Sequence, residues 1–272
     1  MIDAILKFEF LQNALGAGVL VSIACGIIGT FVVINRIVFI SGGIAHAAYG
    51  GLGLGYFFKF SPVLGAILFS LISALGMGLV EQKTKQRADT LIGVMWAIGM
   101  AIGIILIDLS EGYKSGLESY LFGSILTVPR KDLIIMLILN LIIGGLVSLF
   151  YKELVAISFD PVFATTRNLP VDLLYLMLMV MIALTVVMVM QVVGLILVIA
   201  LLTIPSAIAE KLAKDIQQMM IFSSVLGIIF TTIGIALSYY VNLTSGATII
   251  LVAGFAYLFS LLFEKVGIIK IK

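Results

Sequence analysis

Seven runs of predominantly apolar residues, each roughly 20 residues long, recur along this sequence and restrict its possible folds more than any other feature. A run of that length crosses the hydrocarbon core of a bilayer as an α-helix, because a helix satisfies its backbone hydrogen bonds internally. Charged residues make up only 11% of the chain, well below the proportion usual in soluble domains. The sequence therefore predicts an all-α polytopic membrane protein. The seven runs are residues 14–35, 61–80, 90–109, 132–151, 172–192, 217–239 and 247–263.

Two further segments are apolar but short or interrupted. Residues 38–57 are rich in glycine, and residues 193–209 contain Gly194 and Pro205, which weaken or end a helix. Counting both segments gives nine crossings, and treating one of them as re-entrant gives eight. Both follow long apolar runs, one early in the chain and one late. They therefore indicate an internal pseudo-repeat around a transport pathway, which favours a transporter over a receptor or a structural protein.

The basic residues predict which side of the membrane each loop faces. Cytoplasmic loops of membrane proteins contain an excess of lysine and arginine. When residues 81–87 are placed in the cytoplasm, eleven of the sixteen basic residues lie on that side and five lie outside. The C-terminus is therefore predicted to be cytoplasmic, whereas the side of the N-terminus depends on whether residues 38–57 cross. The five outer residues are Lys7, Lys59, Lys114, Arg130 and Lys131.

The whole chain, residues 1–272, is predicted to form one transmembrane domain, since no stretch is polar enough for a second globular domain. It contains no GxxxxGK[ST] phosphate-binding loop, and a single histidine excludes most hydrolytic sites. We therefore expect a non-catalytic protein in which any ATP hydrolysis takes place on another subunit. The basic residues are scattered among short loops, so no nucleic-acid partner is expected.

The only histidine, His46, lies within the glycine-rich segment 38–57. An ionisable side chain at bilayer depth is costly unless it faces protein, water or a ligand. Glycines persist in a helix where another backbone or a substrate must approach closely, or where the helix unwinds. Neutral imidazole is a common ligand for transition metals. His46 is therefore either a contact on a metal pathway or a structural histidine bonded to a neighbouring helix. The glycines on its helical face are Gly42, Gly43, Gly50 and Gly53.

The predicted cytoplasmic loop at residues 153–171 is long for a turn between membrane spans and contains a pattern typical of a helix start. Ser158 or Asp160 can cap a short helix, Pro161 suits its first turn, and Ala164 follows within it. A short amphipathic helix at this place would either dock onto a soluble partner or lie on the lipid surface.

Five passages, at residues 31–55, 89–106, 117–128, 157–161 and 192–213, occur in one order along this chain. Their sequences are FVVINRIVFISGGIAHAAYGGLGLG, DTLIGVMWAIGMAIGIIL, LESYLFGSILTV, ISFDP and VVGLILVIALLTIPSAIAEKLA. In that order they resemble the permease subunits of zinc/manganese/iron ABC importers. The resemblance extends over nearly the whole chain, and the layout is similar, more distantly, to permeases that import cobalamin and siderophores.

The resemblance implies a type II ABC importer permease fold and a homodimer in the inner membrane of a prokaryotic cell, bound to two cytoplasmic ATPases. A solute-binding protein outside the cytoplasm would deliver zinc or manganese, a divalent metal ion that is the transported substrate, and no permanently bound cofactor is expected. The loop at residues 158–170 would contain the coupling helix, which enters a groove on the ATPase, with Asp160 and Ala164 at the matching positions. The resemblance also favours the metal pathway for His46.

One residue departs from the family pattern. Many similar permeases have an aspartate four residues before the histidine, and here that residue is Gly42. A local pair of histidine and aspartate therefore cannot form. Either a carboxylate from another span completes the contact, or a second His46 from the dimer mate does so, or the substrate is not a bare divalent cation.

The sequence favours the membrane-spanning permease subunit of an ATP-driven importer of divalent transition-metal ions. One alternative is a permease for a metal chelate or a small cofactor, which the absence of an aspartate at Gly42 suggests. A second alternative is an ion-coupled secondary transporter that works without an ATPase. The scarcity of carboxylates within the apolar runs disfavours that alternative.

Overall fold

The structure of the protein, a computed structural model, describes residues 8–83, 88–110, 121, 123–195 and 198–265. Helices account for most of these residues. A short 3₁₀ helix, Ile125–Thr127, precedes α5. The α-helices of the described part are α1 (Glu9–Ile34), α2 (Val38–Phe57), α3 (Pro62–Lys83), α4 (Ala88–Leu109), α5 (Arg130–Leu149), α6 (Tyr151–Phe159), α7 (Pro161–Thr166), α8 (Val171–Val193), α9 (Val198–Leu212), α10 (Ile216–Val241) and α11 (Ser245–Lys265).

Seven helices in the described part of the chain are long and apolar enough to cross a bilayer. Each of them overlaps one of the seven apolar runs read from the sequence, so that prediction is confirmed. The seven are α1, α3, α4 from Thr90 onward, α5, α8, α10 and α11 as far as Leu262.

The glycine-rich segment differs from our expectation of a short or interrupted element. Residues 38–57 form α2 as one continuous helix of 20 residues. The helix is not among the seven apolar spans, because its glycines and His46 make it less apolar than the others. Its continuity has a physical reason, since close packing against two neighbouring helices offsets the poor helix propensity of glycine.

The second segment is interrupted, as its sequence predicts. The helix α8 ends at Val193, and Gly194 has a left-handed φ of 80° that glycine adopts readily. The chain continues as α9, which has only 15 residues. Pro205 lies inside α9 without ending it.

The described chain divides into two compact units. The first contains α1 as far as Val33, α5 as far as Gly145, the end of α8, and α9, α10 and α11. The second contains α2, α3, α4, the end of α5, α6, α7, and α8 as far as Val187.

In the second unit, α2 packs against both α3 and α4. Glycines allow this approach at several levels. A Cβ atom added at Gly99 of α4 would lie 2.5 Å from the Cα of Ala47 on α2, and one added at Gly51 of α2 would overlap the carbonyl of Gly65 on α3. Small residues stabilise helix pairs in membranes because they let the two backbones approach closely.

In the first unit, glycines and hydroxyl groups join α1 to its neighbours. A Cβ atom at Gly29 of α1 would overlap the Leu202 carbonyl of α9. The hydroxyls of Ser22 on α1 and Thr231 on α10 lie 3.3 Å apart. The Asn140 amide of α5 donates to the Leu20 carbonyl of α1 at 3.0 Å. These contacts satisfy the two hydroxyls and the Asn140 amide nitrogen, which would otherwise be costly within a bilayer.

The packing of α2 against α4 predicts opposite outcomes for two alanine substitutions in α4. Gly99→Ala should destabilise the protein by about 1–3 kcal/mol, because the new methyl group forces the helices apart. Gly93→Ala, where no atom would lie within 4 Å of an added Cβ, should stabilise it by up to about 1 kcal/mol through better helix propensity. Thermal unfolding midpoints of the two variants purified in detergent measure the difference. Equal midpoints would contradict the close contact.

Candidate functional site

His46 lies near the middle of α2, in the second unit. Its side chain is only 8% exposed, and its ring contacts the indole of Trp96 on α4, with the ring centroids 3.6 Å apart and the planes at 69°. Within the described chain its Nδ1 atom has no hydrogen-bond partner. A buried polar atom without a partner is costly, and a neutral imidazole nitrogen with a free lone pair is a metal ligand. In the described part of the chain this nitrogen is therefore enclosed and has no protein partner to offset the cost of its burial.

The glycines around His46 serve helix packing. A Cβ atom at Gly53 would lie 2.6 Å from the carbonyl oxygen of Gly103, and one at Gly50 would lie 3.0 Å from that of Gly99. At Gly43 the neighbour is the side chain of Ile92, also at 3.0 Å. Of the two explanations that the sequence left open for these glycines, the approach of another backbone therefore accounts for Gly50 and Gly53.

Gly42 is buried and offers no side-chain ligand beside His46. No group of three or more histidine, cysteine, aspartate or glutamate side chains that could hold a metal ion occurs among the described residues. Within that part of the chain, no set of three such side chains therefore surrounds His46. A single ligand can contact a cation in passage, whereas stable storage requires a larger set of ligands.

The loop that the sequence singled out forms two short helices, α6 and α7. Asp160 caps α7, because its Oδ1 atom accepts a hydrogen bond from the Phe163 backbone N–H at 2.8 Å. Pro161 occupies the first turn, and Ala164 is fully buried. Of the two candidate caps, Asp160 is therefore the one used. Ser158 lies in α6 and donates its hydroxyl to the Leu154 carbonyl at 2.7 Å.

Apolar side chains near the start of α7 are exposed. Val162 is 75% exposed, and Phe159 and Phe163 are exposed by more than half. The Arg167 guanidinium lies 5.7 Å from the centroid of the Phe163 ring, on its face. An exposed apolar patch with a charged rim is typical of a surface that binds another protein or a membrane. Ala164, by contrast, is on the buried side of the same helix.

The sequence reasoning missed Trp96 as a neighbour of His46. The available signal was that Trp96 is the only tryptophan of the chain and lies within a span, whereas tryptophans of membrane proteins are enriched at the two interfaces. It also missed the hydrogen-bond partners of the helices on either side of α7, which are Asn35 for α6 and Glu81 with Gln82 for α8. Nothing local in the sequence identifies those partners.

Comparison with known proteins shows which family and which relatives this chain is similar to. Residues 7–264 match the family described as the ABC 3 transport family. An uncharacterized membrane protein of Synechocystis sp. is 65% identical over 97% of this chain and 95% of its own length. A manganese transport system membrane protein of Listeria monocytogenes is 36% identical over 96% of this chain and 93% of its own. The solved structure of PsaBC from Streptococcus pneumoniae in complex with Fab matches with a TM-score of 0.87 and 33% identity, over 95% of this chain and 93% of that chain.

The cap of α7 is open to a direct test. Asp160→Ala removes the acceptor for the Phe163 N–H and should destabilise the first turn by about 1 kcal/mol, which corresponds to roughly fivefold faster amide exchange there. Asp160→Asn retains an oxygen acceptor and should stay close to the original protein. Hydrogen exchange of residues 161–167 measures both.

The matched control is Asp215→Ala, which removes the equivalent cap of α10. It should change exchange at the start of α10 and leave residues 161–167 unaffected. Equal exchange rates for the Asp160→Ala and Asp160→Asn variants would show that the Asp160 side chain does not hold α7.

Proposed function

Because this chain belongs to the ABC 3 transport family, we propose that it is the membrane-spanning permease subunit of an ATP-driven importer of manganese ions. The observation that supports a metal ion as substrate is the buried Nδ1 atom of His46, which has no hydrogen-bond partner among the described residues. Manganese is favoured over zinc because similar proteins, such as that of Listeria monocytogenes, are named for manganese transport.

The chemistry of His46 suits a transported ion. Manganese(II) accepts nitrogen and oxygen ligands and lies at the weak end of the affinity order of first-row divalent metals. One imidazole without the aspartate that many related permeases have gives a weak contact, and a weak contact releases its ion quickly. The second copy of the chain in a homodimer supplies a second His46, which adds one further weak contact from the opposite side.

The helix α7 is the coupling helix in this proposal. Its exposed side chains Val162 and Phe163 enter a groove on a cytoplasmic ATPase, and Asp160 with Pro161 fixes the start of the helix. Buried Ala164 transmits the contact to the permease. ATP is hydrolysed on that partner, so the chain itself moves the ion without catalysing a reaction.

The remaining features of the proposal concern the membrane. The chain forms one permease domain over residues 1–272, in the cell membrane of a prokaryote, with the C-terminus in the cytoplasm. Together with the seven apolar spans, α2 makes an eighth crossing, and α9 makes a ninth if it crosses. A solute-binding protein outside the cytoplasm delivers the ion, and the exposed apolar faces of the spans contact lipid.

Reconstitution tests the proposal directly. The chain, its ATPase and its solute-binding protein in proteoliposomes should accumulate manganese when ATP is supplied. The His46→Ala variant should lower the uptake rate by about tenfold or more, because it removes a metal ligand on the pathway. The control is Ser41→Ala, which lies on the same helix and loses only a hydroxyl bonded to the Val38 carbonyl.

Two outcomes would overturn parts of the proposal. Undiminished uptake by the His46→Ala variant would exclude this side chain from the pathway. Uptake of zinc or of chelated iron in preference to free manganese would change the substrate and leave the permease role intact.

Gly42 provides a second test of the cation contact. Gly42→Asp places a carboxylate one helical turn before His46 and should bind manganese about tenfold more tightly, since carboxylates suit this ion. The matched control is Gly42→Asn, which has the same size without the charge. Calorimetric titration of the purified complex with manganese measures both. Equal affinities of the two variants would show that residue 42 does not face the ion.

A further inference from the structure

Two helices flank α7 along the chain, and each is hydrogen-bonded to another segment of the second unit. On one side stands α6, which ends next to α7. On the other side stands the first turn of α8. These flanking contacts involve polar side chains from the turn before α2 and from the last turns of α3, which lie far from α7 in the sequence.

The first flank is fixed by Asn35 and Ser158. The Asn35 side chain donates from Nδ2 to the Ser158 Oγ at 2.9 Å, across 123 positions of sequence. Ser158 in turn donates to the Leu154 carbonyl of α6, so its hydroxyl is both donor and acceptor. Asn35 lies three residues before Val38, the first residue of α2. Any displacement of α6 therefore acts on the start of α2.

The second flank is fixed by two bonds between α3 and α8. The Tyr175 hydroxyl donates to the Glu81 Oε2 at 2.7 Å, a charge-assisted bond of the stronger kind. The Gln82 Nε2 donates to the Asp172 backbone carbonyl at 3.1 Å. Both acceptors and donors lie in the last turns of α3 and the first turns of α8, so a displacement of α8 acts on the end of α3.

A cavity of about 340 Å³ lies between the hydrogen bond of Asn35 and the hydrogen bonds that join α3 to α8. Asn35 and Ile37 line it near the start of α2, Glu81 and Tyr175 line it at the second flank, and Pro161 of α7 lines it as well. The cavity leaves α7 without dense packing at this place. Pro161, at the start of α7, therefore borders open space, whereas Ala164 on the same helix is fully buried.

We infer that the Asn35–Ser158 and Tyr175–Glu81 hydrogen bonds are the positioning contacts that transmit movement of α7 to α2 and α3. The inference rests on the proposed function, in which α7 is the contact with the ATPase. The α2 helix holds His46, and α3 packs on α2 at Gly51 and Gly65. Loss of these bonds uncouples ATP hydrolysis from the movement of α2, while each helix remains folded.

The decisive variant is Tyr175→Phe, which keeps the aromatic ring and removes only the hydroxyl. In proteoliposomes containing the full complex, it should lower the number of manganese ions imported per ATP by about threefold or more, since it removes one charge-assisted bond. The ATPase rate should stay within about twofold of the original. The matched control is Tyr240→Phe, at a tyrosine of α10 that is 65% exposed, and it should leave the ratio unchanged.

Conservative replacement distinguishes positioning from general stability. Glu81→Gln retains a neutral oxygen acceptor for the Tyr175 hydroxyl and should keep most of the original ratio of manganese ions imported per ATP, whereas Glu81→Ala should lower it further. The double variant with Glu81→Ala and Tyr175→Phe should be no worse than either single variant, because both remove the same bond. Ser158→Ala should lower the ratio at the other flank. A parallel loss of ATPase and transport in these variants, or an unchanged ratio in Tyr175→Phe, would overturn the inference.

A second measurement does not depend on the identity of the cargo. Trapping the ATPase in its nucleotide-bound state should change hydrogen exchange in residues 38–46 of the original protein, and this change should be absent in the Tyr175→Phe variant. Failure of the original complex to import manganese would overturn the proposed substrate alone. An exchange response that persists in Tyr175→Phe would overturn the transmission through this hydrogen bond, whatever the cargo.

Discussion

The close contact of α2 with α3 and α4 is the interaction on which the second unit depends. Lipid tails are as apolar as the helix surfaces, so helices in a membrane associate mainly through packing and through hydrogen bonds between them. At Gly51 and at Gly99 the neighbouring backbone occupies the space that a methyl group would need. These contacts hold the least apolar of the long helices among more apolar neighbours. They also place the His46 ring against Trp96.

In our proposal, the same packing explains how one histidine serves in transport. Its Nδ1 atom is enclosed and has no protein partner in the described part of the chain, so the cost of burying it is recovered only when a ligand binds. A full set of ligands would bind a cation too tightly for passage, whereas transport needs a site from which the cation dissociates readily. An incomplete contact beside Gly42 is consistent with this requirement. The hydrogen bonds of the helices beside α7 link α2 and α3 to the surface that faces the ATPase in our proposal.

Much of the fold could be predicted because apolar length is a local property. The runs at 14–35 and 172–192 became α1 and α8 with shifts of a few residues at their ends. The break at Gly194 was predicted for the same reason, since glycine acts on its own backbone. The continuity of α2 was not predicted, because the atoms that stabilise its glycines belong to α3 and α4. Sequence periodicity contains no information about such partners.

For the candidate site, the sequence by itself determined that the one histidine lies in a glycine-rich apolar segment and that a helix starting at a proline follows Asp160. Both are properties of single residues and their immediate neighbours. Only the tertiary structure decided that Trp96 covers His46, that Asp160 and not Ser158 caps α7, and that Ser158 instead bonds Asn35. The physical reason is that hydrogen bonds and ring contacts depend on distances between atoms, and the folded backbone sets those distances across more than a hundred residues of sequence.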